Sequence, residues 1–209
     1  MLTVIPIALY IQLGAGLANR VTADQKQTYL DASMAGWDWF FNIGVVNSDH
    51  FVVDGVDFTT CEPTGVIWTY NQGVILGAAA ELYQATGNST YLDLASNIAN
   101  AATATGSPLL SANGILMDGC DETMTCSDSG AEFKGPFVKN LRKLQLARGN
   151  PQWVQFLETN AQSIWNNDVQ VTDGDCLVGE YWAGPYTTAT SVSQGIALDA
   201  LVAAFAVTS

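Results

Sequence analysis

The densest chemistry in the sequence lies in "MDGCDETMTCSDSGAEFKG", residues 117–135, where Asp118, Asp121, Glu122, Asp128 and Glu132 crowd around Cys120 and Cys126. Paired carboxylates are what glycosidic bond cleavage needs, one as acid and one as base or nucleophile. A calcium loop is the rival reading, but the spacing does not match an EF-hand. The plainest alternative is a solvated acidic loop pinned by a disulfide. Cys120 and Cys126 are close enough in sequence to close such a loop, and Cys61 and Cys176 are then left to pair with each other. With four cysteines and no C-x-x-C pair, zinc spacing is absent and disulfides of an oxidising compartment are the better reading.

A second group opens the stretch "WTYNQGVILGAAAELYQATGN", residues 68–88. From Val74 onward it is an apolar helix closed by Gly87, yet its first turn holds Trp68, Tyr70, Asn71 and Gln72. Buried amides are costly unless paired, so these side chains are expected to face a cleft rather than the core. Trp68, Tyr70, Trp182 and Tyr186 offer faces on which sugar rings stack, although aromatics at a rim also serve as packing. Five of the seven basic residues fall between Lys134 and Arg148. Lys139, Arg142 and Lys143 share one helical face and read as a solvated stripe. Lys134 points away from them, toward the same cleft. His50 stands alone, with no triad, nucleophile elbow or phosphate-cradling loop around it, and no cofactor is implied.

Composition narrows the partners. A net charge of -13 with only seven Lys and Arg argues against nucleic acid and against an anionic membrane surface. Six Trp, seven Tyr and eight Phe suit a neutral, hydroxyl-rich ligand better. No run reaches the roughly 18 uninterrupted apolar residues that span a bilayer, so no membrane insertion is expected. Asn88-Ser89-Thr90 is an N-glycosylation sequon in an expected loop, consistent with secretion. The opening "MLTVIPIALYIQLGAGLANR" imitates a signal peptide but lacks a leading basic residue, and its Pro6 fits a helical first turn.

The elements that must hold these groups are helices. Periodicity predicts them over 4–18, 23–43, 69–86, 90–104, 132–148, 151–166 and 188–207, with no strand alternation of useful length: an all-α chain. Thr22 with Gln25 has capping-box spacing, and Asn150-Pro151 is an N-cap followed by proline at the first helical position. The connections around 44–68, 105–131 and 167–187 are long, and each carries four Asp or Glu. Alternating helix directions would put all three at one end, where binding sites usually lie. The first, third and seventh helices are rich in Gly and Ala and the second, fourth and sixth carry more bulk. That is the inner and outer alternation of an α/α toroid. "NQGVILGAAAEL" at 71 and "SQGIALDALVAA" at 193 have the look of a weak internal repeat.

Taken in order, "WTYNQGVILGAAAELYQATGN", "GILMDGCD", "EFKGPFVKNL" and "YWAGPY" resemble glycoside hydrolase family 76, the α-1,6-mannan-cleaving enzymes and their fungal cell-wall relatives. The resemblance runs over essentially the whole chain. It implies an (α/α)6 toroid of twelve helices, here a partial barrel of about seven in one domain over 1–209, and an endo-acting, retaining cleavage of α-1,6-linked mannan. It implies substrate contacts at Asp54 and Asp57 in "DGVD", and at Trp68, Tyr70, Asn71, Gln72, Lys134 and Trp182. It transfers no catalytic residue: the family works with an adjacent Asp-Asp pair, and no such pair occurs in these 209 residues. By this resemblance Leu2 to Ala18 is a barrel helix rather than a leader, the protein is secreted or cell-wall associated, and an N-terminal half is its natural partner. The rival readings are a non-catalytic mannan-binding remnant and a wall transglycosidase. The apolar faces of the first and last helices would then lack neighbours, so the isolated chain is expected to associate or to fold loosely.

Overall fold

The computed structural model describes residues 1–127 and 129–208; Asp128 of the acidic stretch lies outside them. Seven helices occur among them: α1 (Ile5–Ala18), α2 (Ala23–Asn42), α3 (Thr69–Thr86), α4 (Thr90–Thr103), α5 (Lys134–Ala147), α6 (Pro151–Asn167) and α7 (Ser191–Thr208). Their ends fall within three residues of the periodicity, because caps and breakers set them. Gly87 ends α3 in the left-handed conformation at φ 73°. Asn150 caps α6 by accepting the Gln152 N–H at 3.0 Å, with Pro151 in the first turn. Thr22 is the N-cap of α2, but its side chain makes no cap bond, so the capping box is not closed.

Two small antiparallel sheets correct the all-helical expectation for the loops. β1 (Leu2–Thr3), β2 (Val53–Val56) and β3 (Pro63–Ile67) form one sheet, with Leu2 opposite Val56 and Val53 opposite Ile67. Gly55 has no side chain because Leu2 passes over it; a Cβ there would lie 2.5 Å from the Leu2 carbonyl. β4 (Val169–Thr172) and β5 (Asp175–Val178) form a hairpin between α6 and α7. These strands stitch long loops to the helices that follow them.

The chain divides into two compact units, Met1–Ala101 and the residues from Ala102 onward. In the first, α1 packs against α2 and α3. The apolar N-terminal run is therefore a packed helix, burying Ala8, Ile11, Ala15 and Ala18. α3 is the most enclosed element, buried from Asn71 through Ala79. In the second unit, α7 packs against α5 and α6. α7 is the one described helix long and apolar enough, by length and composition, to cross a membrane. One face of it packs on α5 and α6, with an Asp199 to Lys139 ion pair at 3.0 Å, while Leu198, Val202 and Phe205 stay exposed. Lys139 is exposed, as expected of the solvated stripe, and makes that pair from the surface.

Candidate functional site

In the first unit, the loop after α2 is folded back onto the N-terminus of α3. β2 carries Asp54, whose Oδ1 accepts the Tyr70 hydroxyl at 2.5 Å and the Asn71 Nδ2 at 2.8 Å. Both bonds fall on one oxygen, Oδ1, and among the described residues none is seen to Oδ2. Asp54 and Asn71 are buried, Tyr70 and Trp68 half-buried, and the Asn71 Oδ1 is a buried acceptor without a partner. A carboxylate fixed through one oxygen and free at the other is suited to accept a hydrogen bond from a ligand hydroxyl.

Two of the residues expected at this site have other tasks. Gln72 is wholly buried and faces no cleft: Oε1 accepts the Val52 N–H at 2.8 Å, while Nε2 donates to the Val52 and Trp68 carbonyls at 2.8 and 2.9 Å. It fastens the loop to α3, which answers why an amide begins a buried helix. Asp57 accepts the N–H groups of Thr59 and Thr60 through Oδ1, shaping the turn between β2 and β3. Those bonds hold its carboxyl below the usual carboxylate range.

In the second unit, two long loops do meet. Lys134, at the start of α5, donates to Asp121 Oδ2 at 2.5 Å, and neither side chain is exposed. The Asp118 N–H donates to the same oxygen at 2.8 Å. Lys134 lies 5.5 Å from the centre of the Trp182 ring, and Trp182 is itself fully buried. Neither residue therefore reaches an open cleft, contrary to expectation: the ammonium is consumed by an ion pair and a cation–π contact. The acidic stretch is equally unlike a solvated loop, since Asp118 and Asp121 are both fully buried, although Glu122 and Glu132 stay exposed.

Asp168 and Glu180, which sequence reasoning passed over, complete this cluster. Asp168 is the C-cap of α6, and Gly179 is glycine because the Asp168 carboxylate occupies the place of a Cβ. Burial pushes Asp168 up to about 7, opposed by Lys134 and reinforced by Asp121 and Glu180. Burial also raises Glu180, again against Lys134 and with Asp121. The only sequence signal was their place in a long loop beside "YWAGPY".

Cys120 and Cys126 form the expected disulfide, six residues apart. Cys61 and Cys176 are free, exposed thiols in different units, so the second expected bridge is not formed. Cys61 closes the turn into β3 with φ 60°, and Cys176 sits on β5. Cys120, Asp121 and Cys126 are the one described group with metal-like spacing, but both sulfurs are spent in the disulfide. Asn88 of the sequon is exposed in the turn between α3 and α4.

Successive helices joined by loops that carry carboxylates, amides and aromatics fit the α/α-toroid class. The chain belongs to glycosyl hydrolase family 76, whose description matches residues 7–208. It is 31% identical over 119 residues to the mannan endo-1,6-alpha-mannosidase DFG5 of Saccharomyces cerevisiae, covering 54% of this chain and 25% of that one. The crystal structure of the Lin0763 protein from Listeria innocua superposes with TM-score 0.78 at 26% identity, covering 97% of this chain and 55% of that one. The GH76A alpha-1,6-mannanase from Salegentibacter sp. HEL1_6 superposes with TM-score 0.73 at 26% identity, over 90% of this chain and 54% of that one. An inactive variant of that mannanase, changed at two neighbouring aspartates, is seen with alpha-1,6-mannotetrose. The chain thus spans about a quarter of the curated relative and about half of the matched structures. Its fold is all-α, of the α/α-toroid class, here with seven helices among the described residues.

Proposed function

We propose that this chain supplies substrate-binding surface to a glycoside hydrolase acting on α-1,6-linked mannan, and that bond cleavage depends on an Asp-Asp pair absent from its 209 residues. The observation that carries the reading is Asp54, held through one oxygen by Tyr70 and Asn71, with no bond to the other oxygen among the described residues. The mannotetrose complex of the Salegentibacter enzyme supports the choice of ligand. Trp68 and Tyr70, both half-buried, supply ring faces beside that carboxylate. Gln72 and Asp57 act behind that surface, holding the loop that forms it, while Lys134 and Trp182 hold together loops of the second unit.

The same reading assigns a partner and a compartment. Leu9 and Leu13 on α1, and Leu198, Val202 and Phe205 on α7, are exposed apolar residues. They suit helices of a further, catalytic half of a family 76 toroid. The Cys120–Cys126 disulfide and the exposed Asn88 sequon favour a secreted or cell-wall location. Binding without cleavage, a mannan-binding role in its own right, is favoured for the chain alone by the missing pair.

The test is a reducing-end assay of the purified chain on linear α-1,6-mannan. Loss of both carboxylates removes most of the roughly 8–23 kcal/mol by which enzymes lower a barrier, so no turnover above background is expected. Turnover at ordinary enzyme rates would contradict the account, and its loss in Glu122→Gln would move the chemistry to the acidic loop.

A further inference from the structure

The loops before α3 and α7 are fastened to their helices by matching bonds. In the first unit the Val52 N–H donates to Gln72 Oε1 at 2.8 Å, and the Val52 carbonyl accepts from Gln72 Nε2 at 2.8 Å. In the second, the Val178 N–H donates to Gln194 Oε1 at 2.7 Å, and the Val178 carbonyl accepts from Ser193 Oγ at 2.7 Å. The next residue repeats as well. The Val53 N–H donates to the Val45 carbonyl, just beyond α2, and the Gly179 N–H to the Asp168 carbonyl, just beyond α6. Val52 bridges Val46 and Val178 pairs with Val169, antiparallel in both cases. These correspondences make the two loop-to-helix junctions copies of one device. Two residues on from the clamped valine stands Asp54 in the first unit and Glu180 in the second, a carboxylate both times.

We propose that Glu180 is a second glycan-contacting carboxylate, the counterpart of Asp54, and that it accepts a hydrogen bond from a hydroxyl of the mannan chain. The proposal rests on the reading of Asp54 as a glycan contact. Glu180 is half-buried, and its Oε1 has no hydrogen-bond partner among the described residues. Two fully buried neighbours are in the same condition: Asp168 Oδ2, an acceptor, and Trp182 Nε1, a donor. Asp168 stands against Gly179, and Trp182 follows Glu180 by two residues. Buried polar atoms are normally paired, so three around one short stretch mark a place for a group that both donates and accepts. A sugar hydroxyl is such a group. The two carboxylates differ in what holds them. Asp54 is fixed by Tyr70 and Asn71 from α3, whereas the matching positions on α7 are Val192 and Ser193, and Ser193 Oγ is spent on the Val178 carbonyl. Glu180 has Lys134 as its nearby cation instead. Tyr181, half-buried beside it, supplies the ring face that Trp68 and Tyr70 supply at Asp54.

Calorimetric titration of the full chain with alpha-1,6-mannotetrose tests it, with a thermal melt of each variant alongside. Glu180→Gln keeps the size of the side chain and removes its charge, and is expected to weaken binding about tenfold, the scale of a hydrogen bond to a charged group. Glu180→Asp, which keeps the charge but draws it back by one methylene, should weaken binding as well. Combined with Asp54→Ala, Glu180→Gln should bind more weakly than either single variant. Asp175→Asn, at an exposed position on β5, removes the same charge and should bind as wild type. Melting midpoints of the two Glu180 variants are expected not to fall. A fall in midpoint that accompanies the loss of affinity would make Glu180 a structural residue and overturn the proposal. Wild-type affinity in both Glu180 variants, with Asp54→Ala still weakened, would overturn it and leave the role of Asp54 standing. Wild type that binds nothing at millimolar ligand would overturn both.

Discussion

A buried lysine is tolerable only where its charge is met, and Lys134 meets Asp121 with neither side chain exposed. Removing one partner strands the other. Lys134→Met is therefore expected to cost about 3–5 kcal/mol in urea unfolding, and Lys134→Met with Asp121→Leu to recover most of it. A double variant as unstable as the single one would show that the pair is not a closed unit. The sequence hid this role because residues 121 and 134 are brought together only by the fold; local spacing showed a cation in a helical first turn and nothing of its burial. Asp118 and Asp121 were hidden in the same way, inside a stretch whose composition reads as solvated. The Cys120–Cys126 bridge was legible because its geometry is nearly local.

The helices were legible because their periodicity and caps lie within the elements themselves; the strands were not. The strands are two to five residues long: β1 takes its hydrogen bonds from the distant β2, β2 and β3 carry Gly or Pro, and the β4–β5 hairpin across Asp173-Gly174 has only four residues a side. What the weak repeat did carry is a shared device. Gln72 near the start of α3 grips the Val52 N–H and carbonyl, and Gln194 near the start of α7 accepts the Val178 N–H at 2.7 Å and donates to the Cys176 carbonyl at 2.9 Å. In each case the glutamine before Gly-apolar ties the preceding long loop to its helix. Gln72 is fully buried whereas Gln194 is half-buried, so water can replace only the second clamp. Gln72→Leu leaves buried backbone groups unpaired and should cost about 2–4 kcal/mol, at roughly 1–3 for each stranded group. Gln194→Leu should cost less than half of that. Equal losses in chemical unfolding would show that burial does not set the difference.

At the scale of the molecule, family membership rests on residues 7–208, while the chain matches about half the length of the solved mannanase it resembles. The proposed role, glycan binding with cleavage left to another part of the enzyme, draws on the lack of an Asp-Asp pair in the 209 residues and on the apolar surface of α1 and α7. The family motifs were legible because they are contiguous, whereas the division of labour among Asp54, Gln72 and Lys134 needed the contacts. The central claim is glycan recognition at Asp54, and isothermal titration of the chain with alpha-1,6-mannotetrose tests it most directly. The account predicts saturable binding that Asp54→Ala weakens roughly tenfold to a hundredfold, the equivalent of about 1.5–3 kcal/mol for a hydrogen bond to a charged group. Lys143→Ala on α5 should leave that affinity unchanged. No binding at millimolar ligand, or the same affinity in Asp54→Ala, would contradict it.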